Sequence, residues 1–201
     1  MLPELGEVIA ETMPLLSSWN FSGSGKDYWY HSEHAVCVIN FQGSRDADGF
    51  FINVGVQPLL IPNFLGETPD RNGMSEPSCV FRSRVDPPHG MAMWTYELES
   101  DEYDDVRDAL TDKYVEYIVP LTTVPGPLNQ ITIDDFQKNE LHPLFGGLGD
   151  IAICLYLGRL AIAYHRTAVA RDFIDYGIAN CSKRAAGLLE QLQAARSEIE
   201  G

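Results

Sequence analysis

Apolar and polar residues alternate along two neighbouring stretches, 35–42 and 50–56, which can be laid against each other as one antiparallel hairpin. The expected register pairs Phe41 with Phe50, Ile39 with Ile52, Cys37 with Val54 and Ala35 with Val56. Successive strand side chains point to opposite faces, so this pairing gathers the apolar side chains on one face and leaves Asn40, Gln42, Phe51 and Asn53 on the other. Residues 27–31, 79–85 and 91–96 have the aromatic and β-branched character of three further strands. Ser22 to Gly25 reads as loop, and the proline- and glycine-bearing stretch 57–76 as a long irregular connection.

Helical spacing appears at both ends of the chain. Leu5, Val8, Ile9, Thr12, Met13 and Leu16 make one stripe over 3–18, with Glu4, Glu7 and Glu11 toward the opposite side. Residues 101–119 carry acids in the first turn, where they suit the helix dipole, and a stripe of Val106, Leu110, Tyr114, Tyr117 and Ile118, with Pro120 expected to end the helix. A short helix is expected near Ile131 to Phe136. Asp150 is expected to cap a helix that is apolar nearly all round (Ile151, Ile153, Cys154, Leu155, Leu157, Leu160, Ile162), and a last helical segment from about 167 to 200 should bend near Gly177 or Gly187. The expected fold is α+β: an antiparallel sheet of about five strands packed with helices, then a C-terminal helical pair. The expected division is a core domain over 1–144 and the helical pair over 145–201, packed on the core.

Charge sharpens this division. The chain of 201 residues has a formal net charge of −15, yet from Phe145 onward six acids meet six bases, so the whole excess belongs to 1–144. Such a surface repels phosphate backbones and excludes nucleic acid as a partner, while it attracts a basic protein. A hydrophobic content of 45% excludes global disorder, and the longest apolar run, 151–163, is interrupted by Arg159 and is too short for a bilayer span. Residues 1–7 have no basic region before an apolar stretch, which argues against a secretory signal. Cys37, Cys79, Cys154 and Cys181 are far apart, and the expectation is buried free thiols in a reducing cytoplasm.

The order of features from Phe21 to Phe136 resembles an uncharacterised family, domain of unknown function 4304, found chiefly in bacterial proteins. The stretches that carry the resemblance are Tyr28-Trp29-Tyr30, Val38 to Ser44, Phe50 to Val56, Cys79 to Arg84, and the single Trp94. Gln42, Ser44, Asn53, Cys79, Arg82 and Trp94 map onto the family pattern, while Val80 stands where a His is more usual and Gly43 where a basic residue is more usual. The resemblance implies an α+β domain of unassigned function and leaves the C-terminal helices outside it.

Most constellations with chemical promise fail on spacing. His31-Ser32-Glu33-His34 is one residue short of a helical zinc motif, and on a strand its histidines point apart. Gly146-Gly147-Leu148-Gly149 is followed by Asp150, which opposes an anion at a helix start. Ser22 to Gly25 lacks the spacing of a nucleophile elbow, Asp134-Asp135 reads as capping, and Cys79 has the apolar neighbours of an inert thiol. Leu157-Gly158, Ala161, Ala170 and Ile174 give one faint copy of a tetratricopeptide hairpin with no second copy at that period, which reads as plain helix packing.

One constellation survives. Arg82 and Arg84 share a strand face opposite Phe81 and Val85, so with Phe81 in the core both guanidinium groups join the hairpin's amides. Asn40, Gln42, Ser44, Asn53, Arg82, Arg84 and Trp94 are the candidate binding residues, with Phe51 as an apolar contact; no catalytic residue, metal site or cofactor is expected. Planar Arg forks and amides suit a carboxylate or a partner's backbone, whereas the competing expectation is a water-facing sheet whose arginines pair with nearby acids. The leading expectation is a cytoplasmic, non-enzymatic interaction protein, immunity-like or adaptor in kind, with a basic protein partner. The alternatives are a module for a small anionic ligand and, last, a hydrolase or transferase joining Cys79, His89 or His142 to acids from elsewhere.

Overall fold

The computed structural model describes residues 3–45, 48–96, 98, 102–123, 126–138, 145 and 148–200. His142, Gly146 and Gly147, singled out above, lie outside the described residues. The chain forms two compact units, Met1–Leu59 with Asn63–Thr122, and Leu60–Pro62 with Thr123–Gly201. The division therefore follows Thr122 and not residue 144.

The first unit is an antiparallel sheet with helices. Helix α1 (Pro3–Ser18) has the expected bounds and buries Leu5, Val8, Ile9, Thr12 and Leu16. Strands β1 (Ser22–Ser24), β2 (Asp27–His31), β3 (Ala35–Gly43), β4 (Gly49–Pro58) and β5 (Phe81–Val85) follow in sheet order β1-β2-β3-β4-β5, and the two-residue β6 (Trp94–Thr95) pairs with β4. Ser22–Ser24, expected as loop, is thus an edge strand; the close approach of Gly23 to the Asp27 carbonyl leaves no room for a side chain there. Helices α1 and α3 (Val119–Thr122) pack on β3, and α2 (Glu102–Lys113) packs on β5.

The hairpin register differs from the expected one by two residues. Phe41 faces Ile52, Ile39 faces Val54, Cys37 faces Val56, and Gly43 faces Phe50. A slip of two leaves every side chain on its own face, so alternation alone does not distinguish the two registers. Glycines of β4 admit its other neighbours closely: a Cβ on Gly49 would lie 2.4 Å from the Trp94 carbonyl oxygen, and one on Gly55 2.8 Å from Cys79 Sγ. Phe41, Ile39, Ile52, Val54 and Phe81 are fully buried on the helix-covered face.

Pro120 does not end its helix. Residues Tyr114–Ile118 form a π-turn in which the Val119 N–H donates to the Tyr114 carbonyl, and the chain continues helically to Thr122. The wider turn makes room for a proline ring that would otherwise strike the carbonyl four residues back.

The second unit is helical. Helix α4 (Ile133–Gln137) begins with a capping box: Thr132 Oγ1 accepts from the Asp135 N–H, and Asp135 Oδ2 accepts from the Thr132 N–H. Phe136 packs edge-on against Phe173 and Tyr176, which ties this helix to the C-terminal ones and explains the early division. Helix α5 (Asp150–Ala163) is buried on most sides, at Ile153 to Gly158, Leu160 and Ala161. Its N-cap is Gly149, with Asp150 the first helical residue. Three long helices stand where a pair was expected, because the last segment breaks at 181–185 into α6 (Thr167–Asn180) and α7 (Ala186–Glu200). Gly177 is a packing site, with Leu192 Cδ2 only 2.8 Å from where its Cβ would be, and not a bend.

Candidate functional site

The two ends of the second sheet face differ in kind. At the end formed by Val36 and Val38, the connection between β4 and β5 folds over the sheet: Met74 and Cys79 join those valines in a buried cluster against Trp29 and Leu59. The Trp29 indole N–H donates to the Met74 carbonyl at 2.8 Å. Gln57, fully buried, accepts from the Val80 N–H through Oε1 and donates to the Pro58 carbonyl, which satisfies a polar side chain in an otherwise dry place.

The other end carries a polar row. Asp27, Asn40, Asn53 and Arg84 are successive cross-strand partners on β2, β3, β4 and β5. Asn40 Nδ2 donates to Asp27 Oδ1 at 2.8 Å, Asn53 Nδ2 donates to Asn40 Oδ1 at 3.3 Å and to Gln42 Oε1 at 3.0 Å, and Arg84 Nε donates to Asn53 Oδ1 at 3.1 Å. The row has a direction with a chemical cause. An ionised carboxylate only accepts, so Asp27 takes the amide nitrogen of Asn40; the Asn40 oxygen then faces Asn53, whose own oxygen is left for Arg84. Asn53 is the joint and is 6% exposed, while Gln42 and Arg84 are open to solvent.

The two arginines are not equivalent. Arg82 Nε lies 2.9 Å from Oε1 of Glu76, a carboxylate of which only 8% is exposed, so this guanidinium is occupied in neutralising a buried acid. Arg84 lies over the Phe51 ring, 4.3 Å from its centroid, and donates to Asn53; among the described residues it has no carboxylate within ion-pairing distance. An aromatic face beneath and an amide at Nε fix the plane of the guanidinium and leave its terminal nitrogens for a bidentate acceptor.

Of the expected site residues, Asn40, Gln42, Asn53 and Arg84 therefore converge, with Phe51 beneath. Ser44 follows β3 in the hairpin turn, where its N–H donates to the Gly49 carbonyl. Arg82 borders the covered end. Trp94 belongs to the other face: it pairs with Phe50, stacks on its ring, is 2% exposed, and donates from Nε1 to the Val85 carbonyl at 2.9 Å. Its position opposite a core residue of β4 makes it a core residue. Sequence reasoning missed Asp27, which sets the direction of the row, and Glu76, which separates the arginines. Asp27 has only its register position as a signal, and Glu76 lies in a non-periodic loop.

Among the described residues the cysteine and histidine candidates do not assemble. Cys79 is fully buried and burial pushes its thiol up to about 12, the thiol of an inert packing residue. Burial likewise raises Cys37, and it pushes Cys154 up to about 12. His89 is exposed on a turn with φ of 59°. Among the described residues no group of three or more His, Cys, Asp or Glu is placed to hold a metal ion. No helix among them is long and apolar enough to cross a membrane.

Fold and site define an α+β domain in which a six-stranded antiparallel sheet, helix-covered on one face, keeps part of the other face polar and open. The family model of the domain of unknown function DUF4304 matches residues 13–123, more than half of the chain, and the protein belongs to that family. The match ends beside Thr122, where the first unit ends, so the polar row lies within the family domain and the helices α4 to α7 lie outside it. No curated protein and no solved structure matches the chain.

Proposed function

We propose that this protein is a non-enzymatic binding protein whose polar sheet face recognises a carboxylate-bearing surface of a protein partner. The observation that carries this reading is Arg84: a guanidinium fixed by Asn53 and Phe51, with no carboxylate in ion-pairing distance among the described residues, in a chain with a net charge of −15. Gln42 and Asn40 beside it supply amide donors and acceptors for a partner's backbone. Long-range attraction has a separate source. Glu4, Glu7 and Glu11 on α1 and Asp104, Asp108 and Asp112 on α2 are exposed, and their field favours a partner that is basic overall, in an adaptor or immunity-like role. The free thiols Cys37, Cys79, Cys154 and Cys181 are in keeping with a reducing, cytoplasmic setting.

A small carboxylate ligand at Arg84 is the second reading, favoured by the same guanidinium. Thermal-shift titration of the wild type and Arg84→Ala with mono- and dicarboxylates, beside binding assays on a panel of basic proteins at low and high salt, separates the two. Salt-sensitive protein binding weakened in Arg84→Ala supports the interaction reading. Stabilisation by a small acid, abolished in Arg84→Ala, moves the assignment to the ligand. Binding that is indifferent to Arg84 in both assays removes the polar face from the function.

A further inference from the structure

We propose that the tip Phe64–Leu65 is a rigid apolar anchor that inserts into a pocket of a basic protein partner. The tip begins the connection between β4 and β5, and Phe64 and Leu65 are 49% and 65% exposed. Scattered exposed apolar residues are ordinary; the backbone beneath this pair is not.

Five successive N–H groups are all bonded within the protein. Asn63 N–H donates to the Glu67 carbonyl at 2.8 Å, Phe64 N–H to the Ser78 carbonyl at 2.9 Å and Gly66 N–H to the Asn63 carbonyl at 2.9 Å. The Asn63 side chain, in a residue only 6% exposed, accepts from both Leu65 N–H and Glu67 N–H at 3.0 Å. Gly66 takes the left-handed turn at φ of 83°. A buried asparagine thus holds the loop from inside, and what the loop offers to solvent is two large apolar side chains. Holding them in place before contact removes much of the ordering cost that weakens docking by flexible loops, and aromatic and aliphatic anchors of this kind fill partner pockets.

Charge selects the occupant. Glu67 and Asp70 are exposed beside the tip, and the chain as a whole is strongly acidic. An anionic bilayer surface and a second copy of the same chain are both repelled, whereas a pocket with a basic rim is attracted. This inference rests on the reading of the molecule as a protein-binding protein, but it uses a different surface from Arg84.

The test places p-benzoylphenylalanine at position 64 of the full chain, irradiates it in lysate of the cells that make it, and titrates the purified cross-linked protein against wild type, Phe64→Ser, Leu65→Ser and Arg84→Ala. The expected result is a loss of at least about tenfold in affinity for each tip variant, with thermal unfolding unchanged in Leu65→Ser, whose side chain is mostly in water. Cross-linking to itself alone or to nothing, affinity within about twofold of wild type in both tip variants, or co-sedimentation with phosphatidylcholine–phosphatidylserine vesicles that Leu65→Ser abolishes would each overturn the proposal. If Leu65→Ser weakens binding and Arg84→Ala does not, the anchor stands and the polar-face reading falls; the reverse result removes the anchor alone.

Discussion

Asn53→Ala removes the joint of the polar row and measures how firmly it is held. The substitution deletes three hydrogen bonds, to Asn40, Gln42 and Arg84. Gln42 and Arg84 are exposed and regain water, so each of those bonds contributes toward the lower end of the usual 0.5–1.5 kcal/mol, at roughly 0.5 kcal/mol. Asn40 is half-buried and is held by Asp27, so its oxygen cannot turn to a new partner without breaking the 2.8 Å bond on its other side. Its loss lies nearer 1 kcal/mol, and the total is about 2 kcal/mol. All three tryptophans, Trp19, Trp29 and Trp94, belong to the first unit, so urea unfolding followed by tryptophan fluorescence reports that unit alone. With a slope of about 2 kcal/mol per M, the midpoint should fall by roughly 1 M. A double-mutant cycle with Arg84→Ala should return a coupling of about 0.5–1 kcal/mol. A loss below about 0.5 kcal/mol for Asn53→Ala, or no coupling to Arg84, would refute the row as a mechanically joined unit.

The two arginines should separate in opposite assays: Arg82→Ala leaves the Glu76 carboxylate buried without its partner and should cost roughly 2 kcal/mol in urea unfolding, less than a fully buried pair because Arg82 itself is 44% exposed, whereas Arg84→Ala should mainly weaken binding. Gly55→Ala drives a Cβ to 2.8 Å from Cys79 Sγ and 3.0 Å from the Glu76 carbonyl, and should destabilise by about 1–3 kcal/mol; Cys79→Ala in the same chain should relieve part of it, read by the same unfolding assay. At pH 8, Ellman's reagent should find one fast thiol, the half-exposed Cys181, with the buried Cys37, Cys79 and Cys154 reacting only on unfolding; rapid reaction of Cys79 would contradict its packing role. Hydrogen bonds from Thr132 hold the Asp135 carboxyl below its ordinary range. A carboxyl depressed on folding stabilises above its unfolded pKa and loses that contribution as pH falls through the folded value, so the α4 cap should loosen only below the usual carboxylate range. NMR titration should show Thr132→Val returning the Asp135 pKa upward.

Local pattern determined more of this protein than its lack of motifs suggests. The stripe of Leu5, Val8, Ile9 and Leu16 is enough to define α1, and period-two alternation is enough to send Asn40, Gln42, Asn53, Arg82 and Arg84 to one face and Phe41, Ile52 and Phe81 to the other. Those assignments survive because a side chain's face depends on its parity along the strand, a property of the chain itself. The hairpin register, the edge strand at Ser22–Ser24, the core position of Trp94 and the continuation through Pro120 depend instead on what lies across from a residue. The difference between Arg82 and Arg84 is of the same kind: two identical side chains, two positions apart, acquire different chemistry because folding of the irregular connection brings Glu76 beside one and leaves the other on Phe51 and Asn53. Sequence periodicity encodes direction, but neighbours from distant parts of the chain come together only when the tertiary structure closes, and it is those neighbours that decide which charge is neutralised and which remains available.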